Sequence, residues 1–87
     1  MSDSYESFKE KLDDSYRWPS LYTFKFVVPA KSREALLKVI PSNSEVSERS
    51  SRTGKYSSIT IRKVMSDSDA VIAAYKNAST VQGVISL

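Results

Sequence analysis

The stretch YTFKFVV, Tyr22 to Val28, alternates with a period of two. Tyr22, Phe24, Phe26 and Val28 share one face, and Thr23, Lys25 and Val27 share the other. That spacing is the period of a strand with one buried side, and Pro29 ends it. Any fold for this chain must cover a row of three aromatics and a valine on one side only.

A second alternating run lies thirty-odd residues on. Ile59 and Ile61 interleave with Ser58, Thr60 and Arg62, which reads as another half-buried strand. Ahead of it, Ser44 to Ser51 alternates weakly and is very polar, with Val46 its one large apolar residue. This composition suits an edge strand, where polarity deters unwanted pairing. Gly54 sits between the two runs and supplies the left-handed conformation of a hairpin turn.

The remaining segments read as helices. Tyr5, Phe8, Leu12 and Tyr16 recur at steps of three and four, with Asp3 and Glu6 as a cap at the start. Pro19 closes this segment. Ser32 can cap REALLKVI, whose apolar face is Leu36, Leu37 and Ile40, before Pro41 stops it. Ser66 with Asp69 fits a capping box for a third helix that buries Val71, Ile72, Tyr75 and Ala78. Gln82-Gly83 makes a turn, and VISL closes as a last strand.

A helix followed by β-α-β-β-α-β predicts an α+β ferredoxin-like sandwich. The expected antiparallel sheet has four strands in the order 4-1-3-2, with two helices on one face and the other face open. Residues 1–17 form an N-terminal amphipathic helix and residues 18–87 a single domain. At 87 residues the chain buries only about 60–65% of its unfolded surface. There is no cysteine to staple it.

Composition narrows the chemistry. The absence of histidine and cysteine excludes imidazole bases, thiol nucleophiles and the usual zinc sites. No catalytic residue, cofactor or metal is expected, and the reading is non-enzymatic. No apolar run approaches a membrane span, and the N-terminus lacks the basic and apolar regions of a signal peptide. A cytoplasmic location is therefore the expectation.

Charge is unevenly spread. Residues 1–16 hold five acids against two lysines, and residues 17–87 hold eleven cations against five acids. Arg52, Lys55, Arg62 and Lys63 fall within Ser51 to Val64, which contains no acid. A phosphate-binding loop is ruled out there: Arg49 occupies the first glycine position, Tyr56 follows the lysine, and strands flank it. The VQGV of Val81 to Val84 resembles the acylphosphatase core motif, but it precedes the last strand and lacks the following arginine. Asp13-Asp14 and Asp67/Asp69 lack the ligand count of a calcium loop.

The candidate binding residues are Lys25, Arg52, Lys55, Tyr56 and Arg62. Strand parity sends Lys25 and Arg62 to the open face of neighbouring strands, and Lys55 sits at the hairpin tip near Arg52. Such cations attract an acidic protein surface or a small anionic ligand. The plainer reading is a solvated basic face paired with the acidic N-terminal helix. Nucleic acid is a rival partner, but an RNA-binding sheet stacks bases on aromatics. Thr23, Lys25, Val27, Ser58, Thr60 and Arg62 hold those places, leaving only Tyr56 to stack.

The segments WPSLYTFKFVVPAKS, GKYSSITI and AYKNASTVQGVISL resemble the YbeD-like family of small bacterial proteins of unknown function. The likeness runs from Trp18 onward. It implies an ACT-like regulatory domain of ferredoxin-like fold, with a link to lipoate metabolism. It implies no catalytic residue. Amino-acid-binding ACT domains have a glycine between strand one and helix one, where this chain has Pro29-Ala30-Lys31-Ser32, and proline lacks an amide hydrogen. A free sheet edge can be extended by another copy, so a homodimer belongs among the possible partners. The function expected is a regulator of another protein or a small-molecule sensor.

Overall fold

Burying Tyr22, Phe24, Phe26 and Val28 while leaving Thr23 and Lys25 in water requires a sheet with one covered face, and that is the architecture adopted. The computed structural model describes residues 2–87, with side chains from Tyr5 onward. The elements are α1 (Ser2–Ser15), β1 (Ser20–Pro29), a 3-10 turn (Ala30–Ser32), α2 (Arg33–Val39), β2 (Glu45–Ser50), β3 (Tyr56–Met65), α3 (Ser68–Ala78) and β4 (Ile85–Ser86). The sheet runs β2-β3-β1-β4, which is 4-1-3-2 counted from the other edge. Every pairing is antiparallel. This is an open α+β arrangement compatible with a ferredoxin-like fold.

The long β1–β3 ladder sets the frame. Phe24 lies opposite Ile61 and Phe26 opposite Ile59. All four are essentially inaccessible to water, as are Val28, Leu36 and Val71. Helices α2 and α3 pack on this side of the sheet, and α1 packs on α3. Burial of four such large side chains contributes roughly 1.5–3 kcal/mol each.

Tyr75 of α3 is the centre of the aromatic packing. Its ring meets Phe8, Tyr22, Phe24 and Phe26 edge-on, at centroid distances of 5.6, 6.2, 5.0 and 5.9 Å. These edge-to-face contacts satisfy the ring quadrupoles. Its hydroxyl meets that of Tyr22 at 3.0 Å. Burial, then that hydrogen bond, holds the Tyr75 phenol well above its ordinary pKa.

Helix α1 is tied down by its apolar stripe and by polar contacts. Leu12 is buried in the core, while Phe8 and Tyr16 pack partly against it. Tyr5 stays exposed, with the Lys76 ammonium 4.7 Å from its ring centre. Lys9 donates to Ser68 Oγ at 2.9 Å and pairs with Asp69 at 3.1 Å. Asp13 accepts from Trp18 Nε1 at 2.9 Å. Hydrogen bonds from Ser68 and Trp18, with Lys9 nearby, hold the Asp13 carboxyl below the usual range. The Asp3 cap expected for α1 lies outside the residues whose side chains are described.

Three details depart from the sequence reading. The cap of α3 is Asp67, whose Oδ1 accepts the Ala70 N–H at 2.8 Å, rather than Ser66. A carboxylate is the stronger acceptor for an orphan amide at the positive end of a helix. Ser32 makes no side-chain cap for α2; it is buried at the end of the 3-10 turn.

The VISL strand shrinks to Ile85 and Ser86, opposite Val27 and Phe26, with Leu87 N–H donating to Lys25 O at 2.9 Å. Continuing this register would bring Gly83 opposite Pro29, which has no N–H to donate, so the ladder stops. Gly83 turns away there at φ +78°, and a Cβ on it would meet Pro29 Cγ at 2.7 Å.

Candidate binding face

On the uncovered side of the sheet, the register gives each side chain defined neighbours. Thr60 of β3 has Lys25 directly opposite on β1 and Ser47 directly opposite on β2. One step along, Arg62 faces Thr23 and Glu45; one step the other way, Ser58 faces Val27 and Arg49. A shallow groove of about 350 Å³ runs over β2 and β3, lined by Ser47, Glu48, Arg49, Ser58 and Thr60. Apolar side chains border this polar centre: exposed Leu21 and Val64 form one cross-strand pair, and exposed Ile85 and Leu87 flank β1 on the other side.

Lys25 and Arg62 do share the open face, but as diagonal rather than direct neighbours. That spacing, about 7–8 Å between backbones, relieves like-charge crowding. Arg62 contacts Glu45 at 3.4 Å, with both groups well exposed. Such a pair is worth little in water. Lys25 has no ion-pair partner among the described residues.

Arg52 and Lys55 lie apart from them, in the loop after β2. The loop is built locally. Gly54 at φ +76° donates its N–H to Ser51 O at 3.0 Å, and the Ser51 hydroxyl accepts from Tyr56 N–H at 3.1 Å. Lys55 O in turn accepts from Ala30 N–H at 2.8 Å, which anchors the tip to the end of β1. Tyr56 follows on the open face, half exposed and opposite Pro29. The five candidates therefore form two groups, a central pair on the open face and a group at the loop end.

No acid of α1 among the described residues forms an ion pair with a cation of this face. Among the described residues, the ion pairs of α1 go to its own helix and to Asp69 of α3. The acid beside the open-face cations is Glu45 of β2. Arg49 and Ser47 were not among the candidate site residues. Their signal was the weak alternation of β2, which acquires meaning only once its register with β3 is known.

On the opposite face, β2 carries a second polar cluster. Glu48 takes a hydrogen bond from Arg33 Nε of α2. That bond, with help from Ser57, holds the Glu48 carboxyl below its ordinary pKa and the Arg33 guanidinium above its own. Among the described residues no three acidic side chains gather as a cation site would need. No helix among them is long and apolar enough to cross a membrane. No family model, no curated protein and no solved structure matches the chain.

Proposed function

We propose that this protein is a non-enzymatic binding module that recognises an anionic partner through the open face of its sheet. The observation that carries this reading is Lys25, exposed at the middle of β1 and without an ion-pair partner among the described residues. Thr60 lies opposite it, and Arg62 lies diagonal to it. A carboxylate or other oxyanion seated between the two cations would gain two charge-assisted hydrogen bonds. Thr60 and Thr23 add hydroxyls, and Arg52 and Lys55 extend the positive field toward the hairpin end.

On this reading the module is a ferredoxin-like, ACT-like regulator, either of another protein with an acidic surface or as a sensor of a small anion. The resemblance to the YbeD-like family supports the same role. Nucleic acid fits less well. The centre of the face presents Thr23, Lys25, Ser58, Thr60 and Arg62 rather than rings on which bases stack.

The test is a titration of polyglutamate peptide and of citrate into labelled protein, followed by amide chemical shifts. Shifts centred on Thr23–Val27 and Ser58–Arg62 are expected, and Lys25→Glu/Arg62→Glu should abolish them while the core resonances stay in place. Unchanged binding by the double variant would retire the face as the site.

A further inference from the structure

One edge of the sheet is a free strand whose charges are arranged to match themselves. Strand β2 is exposed along all six residues. Ser51 N–H donates to Tyr56 O, which fixes the ladder parity: Glu45, Ser47 and Arg49 turn their backbone groups to β3. By the alternation of an antiparallel strand, Val46, Glu48 and Ser50 turn theirs outward. Among the described residues these outward groups have no partner beyond their own strand.

We propose that β2 pairs antiparallel with β2 of a second copy of this chain, about a two-fold axis through Ser47. In that register Val46 and Glu48 exchange backbone hydrogen bonds with Glu48 and Val46 of the second copy. Ser47 lies opposite itself in a non-hydrogen-bonded site. Glu45 lies opposite Arg49 of the second copy, and Arg49 opposite its Glu45. Two opposite-charge pairs therefore form on the open face, in the close sites where cross-strand side chains interact most strongly.

Neighbouring registers are penalised by the same residues. Centring the axis on Glu45, Glu48 or Arg49 places like charges directly opposite each other, which is unfavourable. Centring it on Val46 leaves Glu45 and Glu48 facing serines and Arg49 facing Asn43. Among axes placed on Glu45 to Arg49, only Ser47 sets both Glu45 and Arg49 against an opposite charge.

The rest of the edge fits a second copy. Glu48, the acid nearest the axis on the helix side, is already drawn inward by Arg33 of its own chain. Val46, 41% exposed, becomes a diagonal neighbour of Val46 across the axis and loses water contact there. Glu45 comes to lie between Arg62 of its own chain and Arg49 of the other. The result is an eight-stranded sheet with one continuous open face. The interface is small, so the dimer exchanges with monomer in a concentration-dependent way.

The experiment is light scattering and sedimentation on the full chain across a concentration series. Wild type should dimerise, and Glu45→Arg or Arg49→Glu alone should weaken dimerisation by at least about tenfold, since each turns both pairs repulsive. Mixing the two single variants should restore association as a heterodimer, because every charge then meets its opposite; a merely misfolded variant would not recover. With no native cysteine, Ser47→Cys should form an intermolecular disulfide under mild oxidation, as a non-hydrogen-bonded pair is close enough for one. Ser50→Cys should not. A chain that is monomeric up to about millimolar concentration, or a dimer indifferent to both charge reversals, overturns the proposal. Neither result bears on anion binding by Lys25 and Arg62, which is read separately by the peptide titration.

Discussion

Strands β1 and β3 carry two surfaces with the same backbone and opposite energetics. On the helix side, Phe24, Phe26, Ile59 and Ile61 are closed off from water, and both phenylalanine rings meet Tyr75 edge-on. On the open side, Thr23, Lys25, Thr60 and Arg62 stand in solvent and touch one another sparingly. The first surface holds the fold together, since dispersion and burial act only where atoms are packed. The second is left free of that duty, so its side chains can be spent on recognition. A sheet covered on one face separates packed from solvated side chains by a single residue step.

The separation can be broken from the stability side first. Phe24→Ala removes a side chain that neighbouring rings cannot collapse to replace, and should cost about 3–5 kcal/mol. In a domain this small that loss should leave the chain largely unfolded, as read by urea titration. A smaller effect is expected at the centre of the aromatic cluster: Tyr75→Phe keeps the ring contacts and loses only the Tyr22 hydroxyl partner, for roughly 0.5–1.5 kcal/mol. At the far end, Lys25→Ala should shift stability by no more than about 0.5 kcal/mol while removing anion binding. If Lys25→Ala destabilised as much as Tyr75→Phe, the two faces would not be independent. A loss of anion binding on Tyr75→Phe with Lys25 intact would point the same way.

The acid side of the stability profile sharpens the account of α1. Asp13 titrates below its usual range because its charged form accepts hydrogen bonds from Ser68 and Trp18 beside Lys9. A depressed carboxylate pKa stabilises the folded state above the unfolded value and loses that contribution as pH falls through the folded one. The docking of α1 on α3 is accordingly weakened by acid, at pH values below the ordinary aspartate range.

Much of the local structure was legible in the residues. Two-residue alternation marked β1 and β3, three- and four-residue spacing marked the helices, and Gly54 marked the hairpin. The buried set Phe24, Phe26, Ile59 and Ile61 follows from parity alone. The caps were less legible: Ser66, Asp67 and Asp69 can each accept a backbone hydrogen bond, and the one-residue choice depends on where Ser68 is buried against α1. The shortness of β4 was also hidden, since it follows from Pro29 and Gly83 meeting across strands far apart in the chain.

What the sequence by itself determined is the periodicity, the helix and strand order and the split of polar from apolar faces. These are local properties, set by which side each successive Cβ takes. The register was decided only by the tertiary structure. It made Lys25 and Arg62 diagonal neighbours, sent the acidic helix to α3 instead of the basic face, and aligned Glu45, Ser47 and Arg49 along a free edge. Register depends on how two distant strands slide past each other until their buried side chains interlock. No single stretch of chain contains that information.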